Sequence, residues 1–223
     1  MKIGIAGNGK IVGEMIGAAT TVEGITIEAI CAREKSRAKA EKIADEYGIA
    51  KVYTDYSKML ADSDIDFIYV AVANNVHYQY TKQALLAGKN VICEKPFTVN
   101  AQETEELVQI AKEKNLFLFE AITVIYSPNY QYIKDNLSEI GVLHYVHANY
   151  AQYSSRYDKY LNKEVAPAFN PENAGGALYD LNIYNLHFII GALGMPKDVV
   201  YRANTGFNGI DTSGTALLDY DGF

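Results

Sequence analysis

The chain has 223 residues, of which 49% are hydrophobic and 21% charged, a composition typical of a globular protein with a sizeable core. The formal net charge of −7 argues against a nucleic-acid-binding surface, and no apolar run is long enough to cross a membrane. The N-terminus has no signal-peptide pattern, and Cys31 and Cys93 are expected to be buried free thiols in a reducing compartment. We therefore expect a cytoplasmic protein that binds neither nucleic acid nor a membrane.

Strands and helices alternate through the first half of the sequence. Short apolar runs predict strands at residues 2–6, 25–31, 51–53, 65–72, 91–93 and 116–120. The segments between them predict a helix ending near residue 21 and helices at residues 34–47, 76–86 and 101–114. This alternation predicts an α/β fold built on a parallel sheet with right-handed crossovers.

The first predicted strand runs into the glycine loop Gly7-Asn8-Gly9 and then into a helix. Gly7 permits a tight turn, and Gly9 lets a phosphate approach the backbone. Backbone N–H groups at the start of the helix, from Lys10 and Ile11, suit a pyrophosphate. A valine replaces the third glycine of the usual G-x-G-x-x-G pattern, and any strand-to-helix turn can use glycines. The loop, between an N-terminal strand and a helix, predicts dinucleotide binding.

The residues after the second strand bear on which cofactor is bound. An acidic residue there would hydrogen-bond the ribose of NAD, but this chain has Ala32 followed by Arg33, with Arg37 one turn later. Guanidinium groups suit the 2′-phosphate of NADP. We therefore expect NADP, with NAD left open because Glu34 could serve its ribose. The alternative is that both arginines belong to the solvated face of a charged helix.

Polar residues also follow the next long strand, at Ala73, Asn74, Asn75 and His77. Either asparagine could cap the following helix, and His77 could face the ribose and nicotinamide. Taken alone, His77 would be a surface histidine.

The strand at residues 91–93 stops abruptly at Glu94-Lys95-Pro96. Ligands of parallel sheets bind beyond the carboxyl ends of the strands, so this triplet puts charge where a substrate could sit. Proline also keeps Lys95 out of the helical region. The alternative is that Lys95 is an ordinary surface lysine.

Tyrosines are concentrated after residue 126, which indicates a second unit of different composition. Ser127 and Pro128 predict the start of a helix. Residues 141–151 alternate and predict a strand, on which His144 and His147 would face opposite sides. We therefore expect no metal site there.

Residues 154–174 are irregular and predict a lid, a substrate loop or a plain surface loop, with Tyr160 as one candidate ligand contact. A helix is predicted at residues 177–193, where Asp180 and Tyr184 share a face. Asp180 could compensate the helix dipole and Tyr184 could be a half-buried aromatic. His187 is expected to be structural.

Together, five motifs are similar in order and spacing to those of the Gfo/Idh/MocA oxidoreductases. The motifs are the glycine loop, Ala71 to His77, Cys93 to Pro96, Phe119 to Ala121 and Gly175 to Tyr184. The resemblance implies a doubly wound Rossmann domain over residues 1–121 and a partial second α/β domain over residues 122–223, with an open, mostly antiparallel sheet. It implies hydride transfer between a nicotinamide cofactor and a sugar, polyol or dihydrodiol, and a homo-oligomer formed through the second sheet.

The resemblance also implies roles for individual residues. Lys95 would hydrogen-bond the substrate oxygen, Tyr184 would carry the proton, and Asp180 would orient the substrate or the Lys–Tyr pair. Glu94 is expected near the cofactor, chiefly as a structural partner at the strand end. The Asp-x-x-x-Tyr pattern resembles the dihydrodiol dehydrogenase and glucose-fructose oxidoreductase branch, although Asn182 replaces its usual glycine.

Two other functions stay open at this point. One is a catalytically idle NADP-binding sensor, and the other is a non-redox Rossmann enzyme such as a nucleoside-cofactor transferase. Because members of the family run on past the position of Phe223, the sequence is also expected to be truncated at its C-terminus.

Overall fold

The computed structural model describes all 223 residues, which form two compact units, Met1–Ala121 and Ile122–Phe223. None of its helices combines the length and apolar character that a membrane span requires.

The first unit is a six-stranded parallel sheet with helices between the strands, as the alternation predicts. Its strands are β1 (Lys2–Ala6), β2 (Thr26–Cys31), β3 (Lys51–Tyr53), β4 (Phe67–Val70), β5 (Asn90–Cys93) and β6 (Leu118–Glu120). Its helices are α1 (Lys10–Ala19), α2 (Arg37–Tyr47), α3 (Tyr56–Leu60), α4 (His77–Leu86) and α5 (Ala101–Glu113). The strand order is β3-β2-β1-β4-β5-β6, so the chain reverses direction across the sheet between β1 and β4. Open parallel sheets bind ligands at this switch point.

Both faces of this sheet are buried because its side chains alternate between two apolar clusters. Ile5 and Ile30 pack with Val12 of α1 on one face, while Ile68 and Val91 pack with the helices of the other. Burying one such isoleucine contributes about 1.5–3 kcal/mol. The sheet therefore gives the loops at its carboxyl edge a rigid support.

Local signals explain where most of these helices begin and end. The Asn100 side chain accepts a hydrogen bond from the Glu103 N–H and caps α5, and Gly48 ends α2 in the left-handed region. Asp55 caps the short helix α3, which the sequence pattern does not predict. β4 is shorter than the predicted 65–72, although the Ala71 N–H still donates to the Ala6 carbonyl at 2.8 Å.

The second unit has three helices and one antiparallel hairpin. They are α6 (Pro128–Asn136), α7 (Tyr157–Leu161), α8 (Ile183–Leu193), β7 (Asp198–Thr205) and β8 (Asp211–Asp219). As predicted, the Ser127 side chain caps α6 and Pro128 is its first residue. The predicted helix at 177–193 begins as a π-helical turn, Leu178–Asn182, before α8.

The predicted strand at residues 141–151 is wrong. Residues 142–151 form neither strand nor helix, and no neighbouring strand offers them a backbone ladder. Alternation describes which side chains could share a face, but a strand also needs a hydrogen-bonding partner. Without a strand, the spacing of His144 and His147 does not place their side chains on opposite sides.

The irregular segment 154–174 is anchored to the β7–β8 turn by an aromatic cluster. Tyr160 is 2% exposed and stacks on Phe169 and Phe207, with ring centroids 4.8 and 4.6 Å away. Its hydroxyl donates to Asn208 at 2.7 Å. Tyr160 is therefore a core residue, and the expectation that it contacts a ligand is wrong.

Candidate functional site

The glycine loop lies at the switch point between β1 and β4. The Gly7 N–H donates to the Cys31 carbonyl at 2.8 Å, at the end of β2. Gly7 has φ +125°, and a Cβ there would lie 2.1 Å from the Ala71 carbonyl oxygen. No other residue can take this conformation so close to a neighbouring backbone. The loop therefore crosses between three strand ends, where a ligand of this sheet would bind.

The start of α1 fits a phosphate group. Gly9 is its N-cap, without a capping side chain and without an acidic residue in the first turn. A Cβ at Gly9 would meet nothing within 4 Å, so the approach to the N–H groups of Lys10 and Ile11 is open. Val12, at the position of the usual third glycine, is fully buried. The valine therefore serves packing between helix and sheet and does not close the loop to a phosphate.

The loop after β2 is joined to the glycine loop, because the Asn8 side-chain amide donates to the Ser36 carbonyl at 3.0 Å. The two arginines of this region differ. Arg37 Nε donates to Glu41 at 2.8 Å, and its Nη1 lies 4.0 Å from Glu34. Arg33 is exposed and forms no ion pair. Arg37 therefore resembles the solvated charged face, while Arg33 keeps its guanidinium available for an anion.

The loop after β4 contains a 3₁₀ turn, Asn74–Val76, directly preceded by Ala73. This turn makes Val76 the N-cap of α4, without a side-chain cap. The expectation that an asparagine caps α4 is therefore wrong.

His77 is 1% exposed, so the surface interpretation is also wrong. Its Nδ1 lies 2.9 Å from the Pro96 carbonyl oxygen, and its Nε2 lies 3.2 Å from that of Val72. Burial lowers the pKa of His77. Both ring nitrogens of His77 thus face backbone carbonyls.

Residues 95–97, here called the Lys95 turn, follow β5 and include a cis peptide bond between Lys95 and Pro96. Glu94 accepts hydrogen bonds from the Tyr69 hydroxyl and, at 3.2 Å, from the Lys95 N–H. Glu120 accepts from the Phe97 N–H at 3.1 Å. Polar side chains thus fix the backbone on both sides of Pro96.

Burial raises the pKa of Glu94, and this effect outweighs that of the Tyr69 hydrogen bond, which lowers the pKa. It also raises the pKa of Tyr69. These contacts agree with a structural role for Glu94 at the strand end. Sequence reasoning missed Tyr69, although a hydroxyl on an otherwise apolar strand is the kind of group that needs a buried partner.

In the second unit, Asp211 organises the start of the helix that carries Asp180 and Tyr184. Its carboxylate accepts from the Leu178 N–H at 2.7 Å and from the Tyr201 hydroxyl at 2.6 Å. Gly176, with φ +106°, leaves room for this carboxylate, since a Cβ there would lie 1.9 Å from it. Asp211 therefore occupies the helix-terminal position that was one interpretation of Asp180. The sequence offers no local signal for it, because it lies 33 residues from Leu178.

Asp180 lies in the π-helical turn and Tyr184 in the first turn of α8, and both are half-buried. The Tyr184 ring stacks on Tyr150, with centroids 5.4 Å apart and planes 13° apart. His187 lines an apolar groove of about 470 Å³ together with Tyr130 and Ile190. Stacking on Tyr150 therefore restrains the Tyr184 ring.

These features define a Rossmann-type dinucleotide-binding unit joined to a second α/β unit. The sequence model described as an oxidoreductase family with an NAD-binding Rossmann fold matches residues 1–122. The model of the GFO/IDH/MocA C-terminal domain matches residues 131–223. The chain belongs to the Gfo/Idh/MocA family of oxidoreductases, as its motifs predict.

Curated relatives include dehydrogenases of small alcohols. The chain is 34% identical over 223 residues to the scyllo-inositol 2-dehydrogenase (NADP(+)) of Bacillus subtilis, covering 100% of this chain and 67% of the relative. It is 30% identical to the trans-1,2-dihydrobenzene-1,2-diol dehydrogenase of Xenopus tropicalis, covering 99% and 66%. It is 38% identical over 148 residues to the D-xylose 1-dehydrogenase (NADP(+)) of Hypocrea jecorina, covering 65% and 38%. The chain thus spans at most about two thirds of the length of these relatives.

Solved structures share the fold at lower sequence identity. An NAD-binding oxidoreductase from Klebsiella pneumoniae has a TM-score of 0.80 at 21% identity, covering 99% of this chain and 64% of that one. A 3-ketoreductase from Actinomadura kijaniata in complex with NADP has a TM-score of 0.78 at 23% identity, covering 99% and 65%. Both support the α/β architecture with its Rossmann sheet.

Proposed function

We propose that the protein is an NAD(P)-dependent oxidoreductase that transfers hydride between a nicotinamide cofactor and the CH–OH group, or the matching carbonyl, of a sugar, polyol or dihydrodiol. The observation that carries the proposal is the carboxyl edge of the first sheet. There the open N-terminus of α1 follows β1, and the Lys95 turn follows β5, two strands away. A loop that fits a phosphate and a lysine in a turn whose backbone is held by side chains, both on one sheet edge, support such a reaction.

NADP is the proposed cofactor, with NAD as the alternative. The residues proposed to hold it are Gly7, Asn8, Gly9, Lys10, Ile11, Arg33, Arg37, Ala73, Asn74, Glu94 and Lys95. His77, also expected near the cofactor, has both ring nitrogens against backbone carbonyls. Arg33 supports NADP most directly, because it is exposed in the loop after β2, which Asn8 joins to the glycine loop. When bound, the nicotinamide supplies or accepts the hydride.

The remaining chemistry belongs to three side chains. Lys95 donates a hydrogen bond to the substrate oxygen and stabilises negative charge that develops on it. Tyr184 gives or takes the hydroxyl proton as general acid or base, with its ring restrained by Tyr150. Asp180 orients the substrate hydroxyl. The names of the relatives support a small polyhydroxylated substrate, since inositol, xylose and a dihydrodiol all carry adjacent hydroxyl groups.

The proposed assembly is a homo-oligomer in the cytoplasm. Apolar side chains at Val199, Val200 and Leu217 are exposed on the β7–β8 hairpin, which supports association with a second copy through this sheet. The two free buried cysteines support a reducing compartment. Light scattering of the purified protein measures the mass of the assembly.

The test begins with calorimetric titration of NADPH, NADH and S-adenosylmethionine into the protein. An NADP⁺-linked screen of scyllo-inositol, D-xylose and trans-dihydrodiols then follows absorbance at 340 nm. We expect NADPH to bind most tightly and at least one alcohol to be oxidised. Lys95→Met should lower kcat by about 100- to 1000-fold, as the loss of an oxyanion-stabilising donor does. Tight NADPH binding without turnover would instead favour the idle sensor, and binding of S-adenosylmethionine alone would favour a transferase.

A further inference from the structure

His77 links the loops that follow two neighbouring strands. It is the first residue of α4, and its ring is 1% exposed. The Val72 carbonyl near Nε2 lies just after β4, and the Pro96 carbonyl near Nδ1 lies in the Lys95 turn after β5. A ligand at the sheet edge therefore meets little of this ring, because its two polar atoms face the protein.

The two ring contacts of His77 are not equivalent. A neutral imidazole has one N–H donor and one acceptor nitrogen, so it can donate to only one of the two carbonyls. The Nδ1 distance of 2.9 Å is that of a good N–H···O hydrogen bond, whereas the Nε2 distance of 3.2 Å lies at the long end. The geometry therefore favours the tautomer that carries its proton on Nδ1 and donates to Pro96.

The Pro96 carbonyl completes the set of contacts that fix the Lys95 turn. Glu94 accepts from the N–H of Lys95, and Glu120 accepts from the N–H of Phe97. Proline has no N–H, so the residue between them can be held through its carbonyl, which needs a donor. His77 supplies that donor. With it, each of the three residues of the turn has a main-chain group bonded to a side chain.

We propose that His77 is a positioning residue that acts through Lys95, with its Nδ1–H holding the Pro96 carbonyl so that the Lys95 ammonium is presented in one orientation. This inference rests on the proposed function, because Lys95 is the group that His77 serves. It replaces the expectation of a direct cofactor contact with a role inside the protein. Small errors in the position of a catalytic group can lower a rate by about 100-fold, so such a contact has a measurable consequence.

The test uses three substitutions of His77 in the full 223-residue chain. His77→Asn places an amide N–H near the position of Nδ1 and keeps the donor to Pro96. His77→Gln places its amide near the position of Nε2, where its N–H can donate to the Val72 carbonyl but not to that of Pro96. His77→Leu removes both. His144→Leu, at an exposed histidine of the second unit, is the matched control.

The expected result is a split between kcat and cofactor affinity, measured with the alcohol that gives the highest rate in the NADP⁺ screen. His77→Leu and His77→Gln should lower kcat by about 10- to 100-fold, whereas His77→Asn should recover most of the loss. The calorimetric Kd for NADPH should change little in all three. A direct cofactor contact would instead raise this Kd, and that outcome would overturn the proposal. Equal losses for asparagine and glutamine would overturn it as well.

A second readout does not depend on turnover. Acetylation of Lys95 by acetic anhydride is measured by peptide mass spectrometry, relative to Lys10, whose side chain is 88% exposed, in the same sample. The Lys95 to Lys10 ratio should shift in His77→Gln and stay near the wild-type value in His77→Asn. If wild type oxidises no alcohol, the proposed function fails while this ratio still decides the role of His77. Identical ratios in all variants would overturn that role. If His77→Leu does not fold by circular dichroism, the asparagine and glutamine pair carries the comparison.

Discussion

Lys95 and Tyr184 are supported in different ways by the units that carry them. Lys95 lies just after a strand whose sheet is buried on both faces, and its turn is held by buried and partly buried side chains. Tyr184 lies on α8, none of whose side chains is fully buried, and is restrained by a stacked ring and by Asp211 at the helix start. The backbone that carries Lys95 is thus supported by a hydrophobic core, and the helix that carries Tyr184 by a few polar and aromatic contacts.

The cores of the two units explain this difference. In the first unit, two clusters of buried side chains line the faces of the sheet. In the second, the core cluster consists of Tyr160, Phe169 and Ile210 with their partly buried neighbours. Hydrophobic stabilisation grows with the apolar area removed from water. A substitution inside the core of the first unit should therefore lower the free energy of unfolding more than a substitution on the hairpin of the second unit.

The largest expected effect comes from truncating one apolar side chain in each unit. Ile68→Ala empties a fully buried site in β4 and should lower the free energy of unfolding by about 2–5 kcal/mol. Leu217→Ala changes a residue that is 68% exposed and should cost less than about 0.5 kcal/mol. Urea denaturation followed by circular dichroism measures both. Similar costs for the two variants would mean that the hairpin is buried in solution, for example against a second copy.

The sequence predicts most of the first unit because its signals are local. Apolar runs bounded by glycines and capping residues place β1 at Lys2–Ala6 and end α2 at Gly48, as predicted. The same is true of α6, where Ser127 and Pro128 define the start of a helix. The strand predicted at residues 141–151 fails because pairing depends on a partner elsewhere in the chain, which alternation alone does not reveal.

The candidate site shows the same division between local and distant information. The glycine loop and the Glu94-Lys95-Pro96 triplet are visible in the sequence, since both stand at strand ends. The burial of His77 and the contact of Asp211 with Leu178 depend on residues 19 and 33 positions apart. The fold brings such residues together, and the periodicity of the sequence does not predict contacts between them. The catalytic roles of Lys95, Asp180 and Tyr184 stay predictions that kinetics must decide.

Gly7 in the first unit and Gly176 in the second both have positive φ, and alanine at each tests how firmly its neighbours are held. Alanine at Gly7 would meet the Ala71 backbone carbonyl, which the sheet holds in place, whereas alanine at Gly176 would meet the Asp211 side chain. A carboxylate can rotate away, whereas the sheet backbone cannot. We therefore expect Gly7→Ala to lower the free energy of unfolding by about 3 kcal/mol and Gly176→Ala to lower it by about 1–2 kcal/mol. Hydrogen exchange with mass spectrometry assigns each loss to its own unit.

Gly17→Ala provides the control for the glycine variants. Gly17 lies inside α1, and a Cβ there meets nothing within 4 Å. Alanine should therefore stabilise the helix by about 0.8–1 kcal/mol. If Gly176→Ala proved as costly as Gly7→Ala, the Asp211 carboxylate would be held as firmly as the sheet backbone.

The smallest effect concerns Asp211 itself, and it tests whether polar contacts replace a core in the second unit. Asp211→Asn keeps the shape of the side chain but removes the charge that strengthens its bonds to the Leu178 N–H and the Tyr201 hydroxyl. We expect a loss of about 1–2 kcal/mol, whereas Asp219→Asn, at an exposed carboxylate of the same strand, should be nearly neutral. Hydrogen exchange should increase in the π-helical turn Leu178–Asn182 and leave the first unit unchanged. Because Asp180 lies in that turn, the Asp211 variant should also lower kcat more than it lowers the affinity for NADPH. Unchanged exchange at the turn would show that α8 is held by its packing, and that this part of the second unit resembles the first more than its exposed side chains indicate.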